Sequence, residues 1–394
     1  MAGVTVSPAH ADVPPLVATP DGPFGVYIHV PFCATRCGYC DFNTYTPAET
    51  GGSTPQSWLA SVRTELRLAA AAVPGRAVDT VFVGGGTPSL LGGAGLAGVL
   101  DAVRDVFELA DDAEVTTESN PESTTPQFFA EIRAAGYTRV SLGMQSAAPH
   151  VLRVLDRTHS PGRAVAAARE ARAAGFDHVN LDLIYGTPGE TDEDLRRSVD
   201  AVVETGVDHV SAYALVVEDG TALARRVRRG EMPAVDDDVL ARRYELLDGW
   251  LLDAGLQWYE VSNWSRPGGW CRHNLGYWNG GQWWGAGPGA HGFLGSTRWW
   301  NIKRPNAYTQ KLAEEALPIA GFEELTAADR HIEDVLLRIR MRQGLPRDLL
   351  DAGERARVPE LTAEGLLRPE GDRLVLTDRG RLLADGVVRR LLGD

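Results

Sequence analysis

Cysteine is scarce in this chain, with 4 residues in 394. That is too few for a disulfide framework and points to a reducing compartment. No apolar run approaches the roughly 20 residues of a membrane-spanning helix. The first twenty residues lack a basic stretch followed by an apolar core, so they do not read as a secretory signal, and residues 1–21 are expected to form a disordered tail. Positive charge is also short, at 39 Lys and Arg against 53 Asp and Glu, a net charge of −14. This balance argues against sequence-independent phosphate binding, and no nucleic-acid partner is expected. A cytoplasmic location follows as an expectation; composition leaves weak contact with a membrane surface open. The remainder, 44% hydrophobic and 23% charged, is that of an ordinary globular protein. Its length exceeds what one hydrophobic core usually serves, so a large domain and one or two smaller ones are expected.

The few cysteines are not scattered. Three of them, Cys33, Cys37 and Cys40, fall in one loop after the apolar run Val26–Val30. Thiolates packed so closely point to a metal or an iron–sulfur cluster. An iron–sulfur cube normally takes four thiolates, and the loop offers three, which leaves one iron open to a non-protein ligand. Two other readings compete. One is a zinc knuckle with His29 or Cys271 as fourth ligand; the other is unrelated buried cysteines. The spacing suits zinc poorly, because zinc sites usually pair C-x2-C units or combine one with histidines. C-x3-C-x2-C resembles the signature of the radical S-adenosylmethionine (SAM) superfamily. The resemblance implies a [4Fe–4S] cluster on Cys33, Cys37 and Cys40. It also implies that SAM chelates the open iron, and that the reduced cluster cleaves SAM to a 5′-deoxyadenosyl radical.

The pattern along the chain supports a barrel. Strands are expected at Gly25–Val30, Val78–Val83, Glu114–Glu118, Arg139–Met144, His178–Ile184 and His209–Ala214. Between them, helical spacing of apolar residues predicts helices over Gln56–Ala72, around Leu96–Phe107, near Pro126–Ala135, and over Arg163–Ala174 and Asp192–Glu204. Six strands alternating with helices imply a parallel sheet with right-handed crossovers, a partial (β/α)6 barrel over residues 22–220. Such barrels carry their chemistry at the C-terminal ends of the strands. Residues 221–310, rich in Trp and Gly without a clear period, read as a connecting region. Residues 311–394 read as helices followed by a hairpin near Arg368–Thr377, a winged-helix-like α+β unit with an accessory packing role.

Several further residues carry chemistry. Gly84-Gly85-Gly86-Thr87-Pro88 follows a strand, and its glycines let the backbone approach a ligand. Glu118 ends the third strand and Gln145 the fourth. Arg157 offers a fork that suits a carboxylate bidentately. Asp182, inside an apolar strand, is costly unless paired. The resemblance gives these residues roles: the backbone of Gly85, Gly86 and Thr87 would hold the SAM amino group, with Glu118 pairing its ammonium and Arg157 its carboxylate. Gln145 and Asp182 would bind the ribose, Tyr39, Ile184 and Ala214 would surround the adenine, and Tyr27 would contact SAM near the cluster.

Together these motifs resemble the oxygen-independent coproporphyrinogen III oxidase-like family. Two features favour its heme-chaperone branch over the oxidative decarboxylase. Phe42 stands where the decarboxylase pattern has a further cysteine, and the first strand begins too early for that enzyme's N-terminal extension. His273-Asn274-Leu275-Gly276-Tyr277-Trp278 matches an H-N-x-x-Y-W motif of the chaperones. The branch implies heme binding and delivery of heme to acceptor hemoproteins, membrane respiratory enzymes among them. Histidine is a common axial ligand of heme iron, which makes His273 the first candidate, with Cys271 and His291 as alternatives. The same aromatic residues would also serve simply to pack a domain junction.

Overall fold

Apolar residues alternate with polar ones along six strands, and the fold follows from which face each set takes. In the computed structural model, which describes residues 15–19, 22–157 and 160–393, the chain opens with β1 (Phe24–Val30), α1 (Pro55–Ala72), β2 (Val78–Gly85), α2 (Gly92–Arg104) and β3 (Leu109–Ser119). It continues with α3 (Pro126–Ala135), β4 (Arg139–Gln145), α4 (Pro149–Val154), α5 (Arg163–Ala173), β5 (His178–Tyr185), α6 (Asp192–Thr205) and β6 (His209–Ala214). Thr54, Thr125 and Thr191 start α1, α3 and α6 by accepting a backbone N–H of the first turn, which satisfies a donor that has no partner within the helix. The six strands pair in parallel and in order. Val26, Ile28, Val81, Val83, Val140, Leu142, Leu181, Leu183 and Val210 point outward and are buried under the helices. The intervening positions, among them Glu114, Glu118, Arg139, Ser141, Asn180, Asp182 and His209, point to the concave side, because successive side chains of a strand alternate faces.

The segment expected only to connect does more. After α7 (Ala222–Arg228) and α8 (Asp237–Asp253) come β7 (Gln257–Glu260), β8 (Asn263–Ser265), α9 (Arg272–Trp278), β9 (Gln282–Ala286), β10 (His291–Leu294) and β11 (Thr297–Asn301). These strands extend the barrel sheet at both edges. β8 pairs with β6 and β7 with β8, while β9 pairs in parallel with β1 and leads on to β10 and β11. α10 (Pro305–Ala313) and β12 (Ile319–Glu324) complete a 12-stranded sheet whose ends, β12 and β7, do not meet. The barrel is therefore partial, as expected. The strands added by the Trp/Gly-rich stretch are three to five residues long, too short for an alternation to stand out.

The last segment contains α11 (Ala327–Arg338), β13 (Leu345–Pro346), α12 (Ala352–Ala363), β14 (Leu367–Glu370), β15 (Arg373–Leu376), α13 (Asp378–Leu382) and α14 (Ala384–Leu392). It has a three-stranded antiparallel sheet and a hydrophobic cluster of its own. Its hairpin falls where the turn Gly371-Asp372 places it. The tail expectation needs correction at residues 15–19. Leu16 is buried against the main core, and Thr19 exchanges hydrogen bonds of 2.8 and 2.6 Å with Gln282; residues 1–14, 20 and 21 lie outside the described residues. The sequence pattern also missed α4, whose six residues are too few for a period to show.

One buried acid fastens the added strands to the barrel. Glu65 of α1 is fully buried and accepts hydrogen bonds from Gly287 N (2.9 Å), Asn301 Nδ2 (2.7 Å) and Tyr308 Oη (2.5 Å). Glu65→Ala leaves three donors unsatisfied, each costing about 1–3 kcal/mol. The variant is expected to lose roughly 3 kcal/mol or more in a denaturant titration, more than a surface substitution gives. A loss below about 0.5 kcal/mol would show that water replaces the carboxylate.

Candidate functional site

The cysteine loop is closed on itself at its base. Cys33 N donates to Tyr45 O (3.0 Å), Tyr45 N to Pro31 O (2.8 Å), and Cys40 N to Cys37 O (3.2 Å). Arg36 reaches across to the Thr44 carbonyl. Asn43 Nδ2 donates to Pro288 O and Lys303 O, both at 2.9 Å, so the added strands brace the loop from outside. Within it the thiols of Cys33, Cys37 and Cys40 are half-buried and unpaired with one another. Burial pushes the Cys33 and Cys40 thiols up, which disfavours bare thiolates and leaves room for a group that would stabilise them. Neither proposed zinc partner stands with them. Cys271 is buried beside Glu114 (Sγ–Oε1 3.5 Å), and His29 bonds Tyr27 Oη and Asn43 O. Among the described residues no three His, Cys, Asp or Glu side chains form a single-ion site. A cube, by contrast, spreads its thiolates over separate irons, so the donor set fits the cluster better than zinc.

The glycine run at the end of β2 presses against this loop. Gly86 N donates to Val30 O (2.7 Å), Thr87 N to Phe32 O (2.8 Å), and Thr87 Oγ1 lies 3.7 Å from Cys33 Sγ. Gly85 has φ +109°, and a Cβ there would stand 2.6 Å from the His29 ring; any other residue would force the two strand ends apart. Its N–H donates to Glu118 Oε2 at 3.0 Å.

A cavity of about 740 Å³ opens above these strand ends. It brings together the three cysteines and Tyr39, Gly85, Gly86, Thr87, Glu118, Gln145, Arg157, Asp182, Ile184 and Ala214. Burial, then the charge of Asp182, raises Glu118 to about 8. Burial raises Asp182 to about 6, against hydrogen bonds from Ser141 and Asn180. Arg157 lines the same cavity, with Nη1 3.3 Å from Cys37 Sγ and a buried Nε that has no partner among the described residues. Gln145 follows a bulge in β4 and holds φ +66°, which costs a non-glycine residue on the order of 1–3 kcal/mol and marks sites held for function. Ile184, half-buried Tyr39 and Leu215 form an apolar cluster beside the cavity, a surface suited to a flat base. The cavity therefore offers soft thiols, two half-buried carboxylates, one guanidinium with a spare donor, and an apolar wall.

Two expected residues stand elsewhere. Tyr27 stands in register beside Phe82 of the neighbouring strand, stacked on its ring, and is not part of the cavity wall. His273 is 3% exposed beneath the barrel floor. Its Nδ1 bonds Thr80 Oγ1 (2.8 Å), its Nε2 bonds Tyr277 Oη (2.8 Å), and its ring stacks on Phe82. Both nitrogens are used and burial lowers it to about 4. Its position corrects the heme-ligand expectation: an imidazole committed on both sides holds the floor and has no lone pair facing an open space. Tyr277 belongs to the same packing. His291 is exposed on β10, outside the cavity wall. Sequence reasoning missed Ser141 and Asn180, which hold Asp182, and the buried ion pair Arg139 Nε–Glu114 Oε2 at 3.0 Å. Polar residues at alternate positions of β3, β4 and β5 were the signal available.

Comparisons with known proteins agree with this geometry. The pattern of the radical SAM superfamily matches residues 27–202. The chain is 70% identical over 385 residues to the heme chaperone HemW of Mycobacterium tuberculosis, covering 98% of this chain and 99% of that one. It is 33% identical to the heme chaperone HemW of Escherichia coli, covering 94% and 99%. Coproporphyrinogen III oxidase (HemN) from Escherichia coli, a radical SAM enzyme, superposes with a TM-score of 0.82 at 24% identity, over 95% of this chain and 91% of that chain. That likeness shows the shared fold.

The two carboxylates make the ligand-free protein sensitive to pH. Glu118 rises from 4.5 to about 8 in the folded state, so between these values the folded chain holds a proton that the unfolded chain has released. Stability must then fall as pH rises through this window. Denaturant midpoints of ligand-free protein should drop between pH 5 and 8, and Glu118→Gln should flatten the drop. An unchanged slope in the variant would assign the effect to other groups.

Proposed function

The chain belongs to the HemW family of the radical SAM superfamily, and from that premise we propose that it is a heme chaperone holding a [4Fe–4S] cluster, SAM and heme, and delivering heme to hemoproteins. The observation that carries this reading is the convergence on one cavity of three thiols, a guanidinium whose buried Nε has no partner among the described residues and two half-buried carboxylates, with Phe42 exposed at its mouth. Cys33, Cys37 and Cys40 would hold the cluster, which with SAM bound supplies one-electron chemistry. The spare Nε–H of Arg157 and its charge suit the SAM carboxylate, and the charge of Glu118 suits its ammonium. Asp182, with Gln145 beside it, suits the ribose hydroxyls. Ile184, Tyr39 and Ala214 suit the adenine.

Four large apolar side chains, Phe42, Leu90, Tyr213 and Val216, are exposed around the cavity mouth. Exposed apolar groups gathered at one opening mark a binding surface, and a flat macrocycle would cover them. This mouth is a better seat for heme than the floor that encloses His273. Phe42 also removes the thiol that the oxidative decarboxylase pattern carries two residues after Cys40. Among the described residues no helix is long and apolar enough to cross a membrane.

Arg157→Ala should weaken SAM by one to two orders of magnitude in calorimetry of the reconstituted protein, about 1.5–3 kcal/mol for a hydrogen bond to a charged group; unchanged affinity removes Arg157 from the site. The Cys33, Cys37 and Cys40→Ser triple variant should lose the cluster's absorbance and low-temperature EPR signal. For function, hemin should bind with a Soret shift and pass to an apo-hemoprotein, while coproporphyrinogen III with SAM remains unconverted. Conversion of the porphyrinogen would select the decarboxylase, and heme that binds yet never transfers would overturn the carrier.

A further inference from the structure

The cavity mouth offers heme an apolar surface, yet its wall holds no imidazole with a free lone pair. Among the described residues the only histidine lining the cavity is His209, and its nitrogens meet Asn180 Oδ1 and Tyr259 Oη at 2.7 Å each. Every other described histidine but one is also committed. His29 and His273 bond on both sides, while His150, His178 and His331 each face a carboxylate. The exception is His291, which is exposed and whose ring takes no hydrogen bond or ion pair among the described residues.

Its place follows from strand register. β9 lies beside β1 with Gly25 opposite Trp283 and Tyr27 opposite Gly285, and Phe293 of β10 stands opposite Trp283. His291, two residues before Phe293, therefore faces the side that continues the concave face of the barrel. Trp300 of β11 is its partner across the ladder, with ring centroids 6.0 Å apart. Glycine flanks the pair on both sides. At Gly285 of β9 a Cβ would collide with the His291 carbonyl, and at Gly321 of β12 it would stand 2.5 Å from the Trp300 indole. The half-buried indole thus lies over bare backbone, and the two rings form a shelf. Trp283 Nε1 fixes the shelf's edge by donating to the His291 carbonyl at 2.8 Å.

The surroundings suit a flat molecule with carboxylates. Lys303 is exposed and takes part in no ion pair among the described residues. Burial, then the charges of Lys303 and Arg298, lower His291, so at neutral pH the imidazole is uncharged and has a lone pair to give. Asn43, next to Phe42 of the mouth, donates to the Pro288 and Lys303 carbonyls at 2.9 Å. Shelf and mouth therefore meet at the cysteine loop.

We propose that His291 is the axial ligand of the heme iron, with the macrocycle against Trp300 and Lys303 pairing with a propionate. The inference rests on the heme reading given above and refines its seat, from the mouth to the shelf beside it. A ring nitrogen gives its electron pair to the ferric iron and displaces a water or hydroxide; the iron keeps its oxidation state. A single protein ligand leaves the sixth position to an acceptor's own ligand, which suits a carrier that must release its cargo.

The test titrates hemin into the full chain, with and without its reconstituted cluster, and follows the Soret band. Resonance Raman of the dithionite-reduced complex reads the iron–imidazole stretch, and transfer to apomyoglobin reads release. The stretch is expected in the wild type, absent from His291→Ala, and restored in His291→Gly by added imidazole. Hemin should leave His291→Ala about 10-fold faster or more, since losses of affinity fall mostly on the release rate. Lys303→Glu should release hemin faster with the stretch intact, and SAM affinity should hold in every variant. An unchanged stretch in His291→Ala overturns the proposal and returns the seat to the mouth. So does a His291→Gly protein that imidazole fails to restore, because the loss would then be structural. Wild-type protein that binds no hemin would sink the carrier reading and this inference with it.

Discussion

The Glu114 carboxylate is the joint on which the concave side of this barrel depends. One oxygen takes the Arg139 guanidinium at 3.0 Å, and the other takes the backbone N–H of His273 at 3.1 Å and faces the Cys271 thiol. A parallel sheet with a polar concave face has no dry core to close it, so something must satisfy the lowest layer of side chains. Burying two charges costs several kcal/mol each unless their remaining bonds are made. Here α9 and the turn before it make most of them, since Arg139 Nη2 also donates to Gly269 O and Trp270 O, while Arg139 Nη1 has no partner among the described residues. The ion pair thereby fixes a short helix under the barrel, and the helix seals the floor of the cavity.

That seal explains why the H-N-x-x-Y-W motif is easy to see and easy to misread. A histidine beside Tyr and Trp has the composition of a heme site, and nothing local in the sequence tells a ligand from a buried donor–acceptor pair. What decides it is Thr80 on β2, almost two hundred residues away, whose hydroxyl meets His273 Nδ1. The cysteine loop was legible for the opposite reason. Its chemistry depends on spacing within eight residues, and the loop's own hydrogen bonds keep the spacing in space. Glu118, Arg157 and Asp182 lay between these cases: barrel topology brings strand ends together, so residues at those ends could be named, but not their partners Ser141 and Asn180. The edge strands were hidden because each is short and draws its order from pairing with β1, with β6 or with one another.

Those edge strands have a mechanical role that the barrel alone could not fill. The loop's base is tied to itself and to the glycine run of β2. Asn43 carries the load outward to the carbonyls of Pro288 and Lys303, and Glu65 locks the same region to α1 through Gly287 and Asn301. A loop that must hold three thiols in one arrangement needs such bracing, because a site's geometry is only as fixed as the shell that supports it. The Trp-rich packing of β9 and β11, with Trp284 against Trp299 at 5.0 Å, gives that brace a rigid backing.

Charge completes the logic of the cavity. Glu118 and Asp182 are both half-buried and both raised, Glu118 in part by the charge of Asp182, while Arg157 is the cation lining the same cavity. With no ligand, the cheapest answer is to keep a proton on one carboxylate, at a cost in stability at neutral pH. A ligand that brings positive charge removes that cost, because the carboxylate then ionises against a partner instead of against its neighbour. The strained backbone at Gln145 fits the same pattern, since the bulge that imposes it aims the end of β4 at Arg157 and the cavity. The fold thus gives up stability at the strand ends, and the floor built on Glu114, Arg139 and α9 is what allows it to do so without opening.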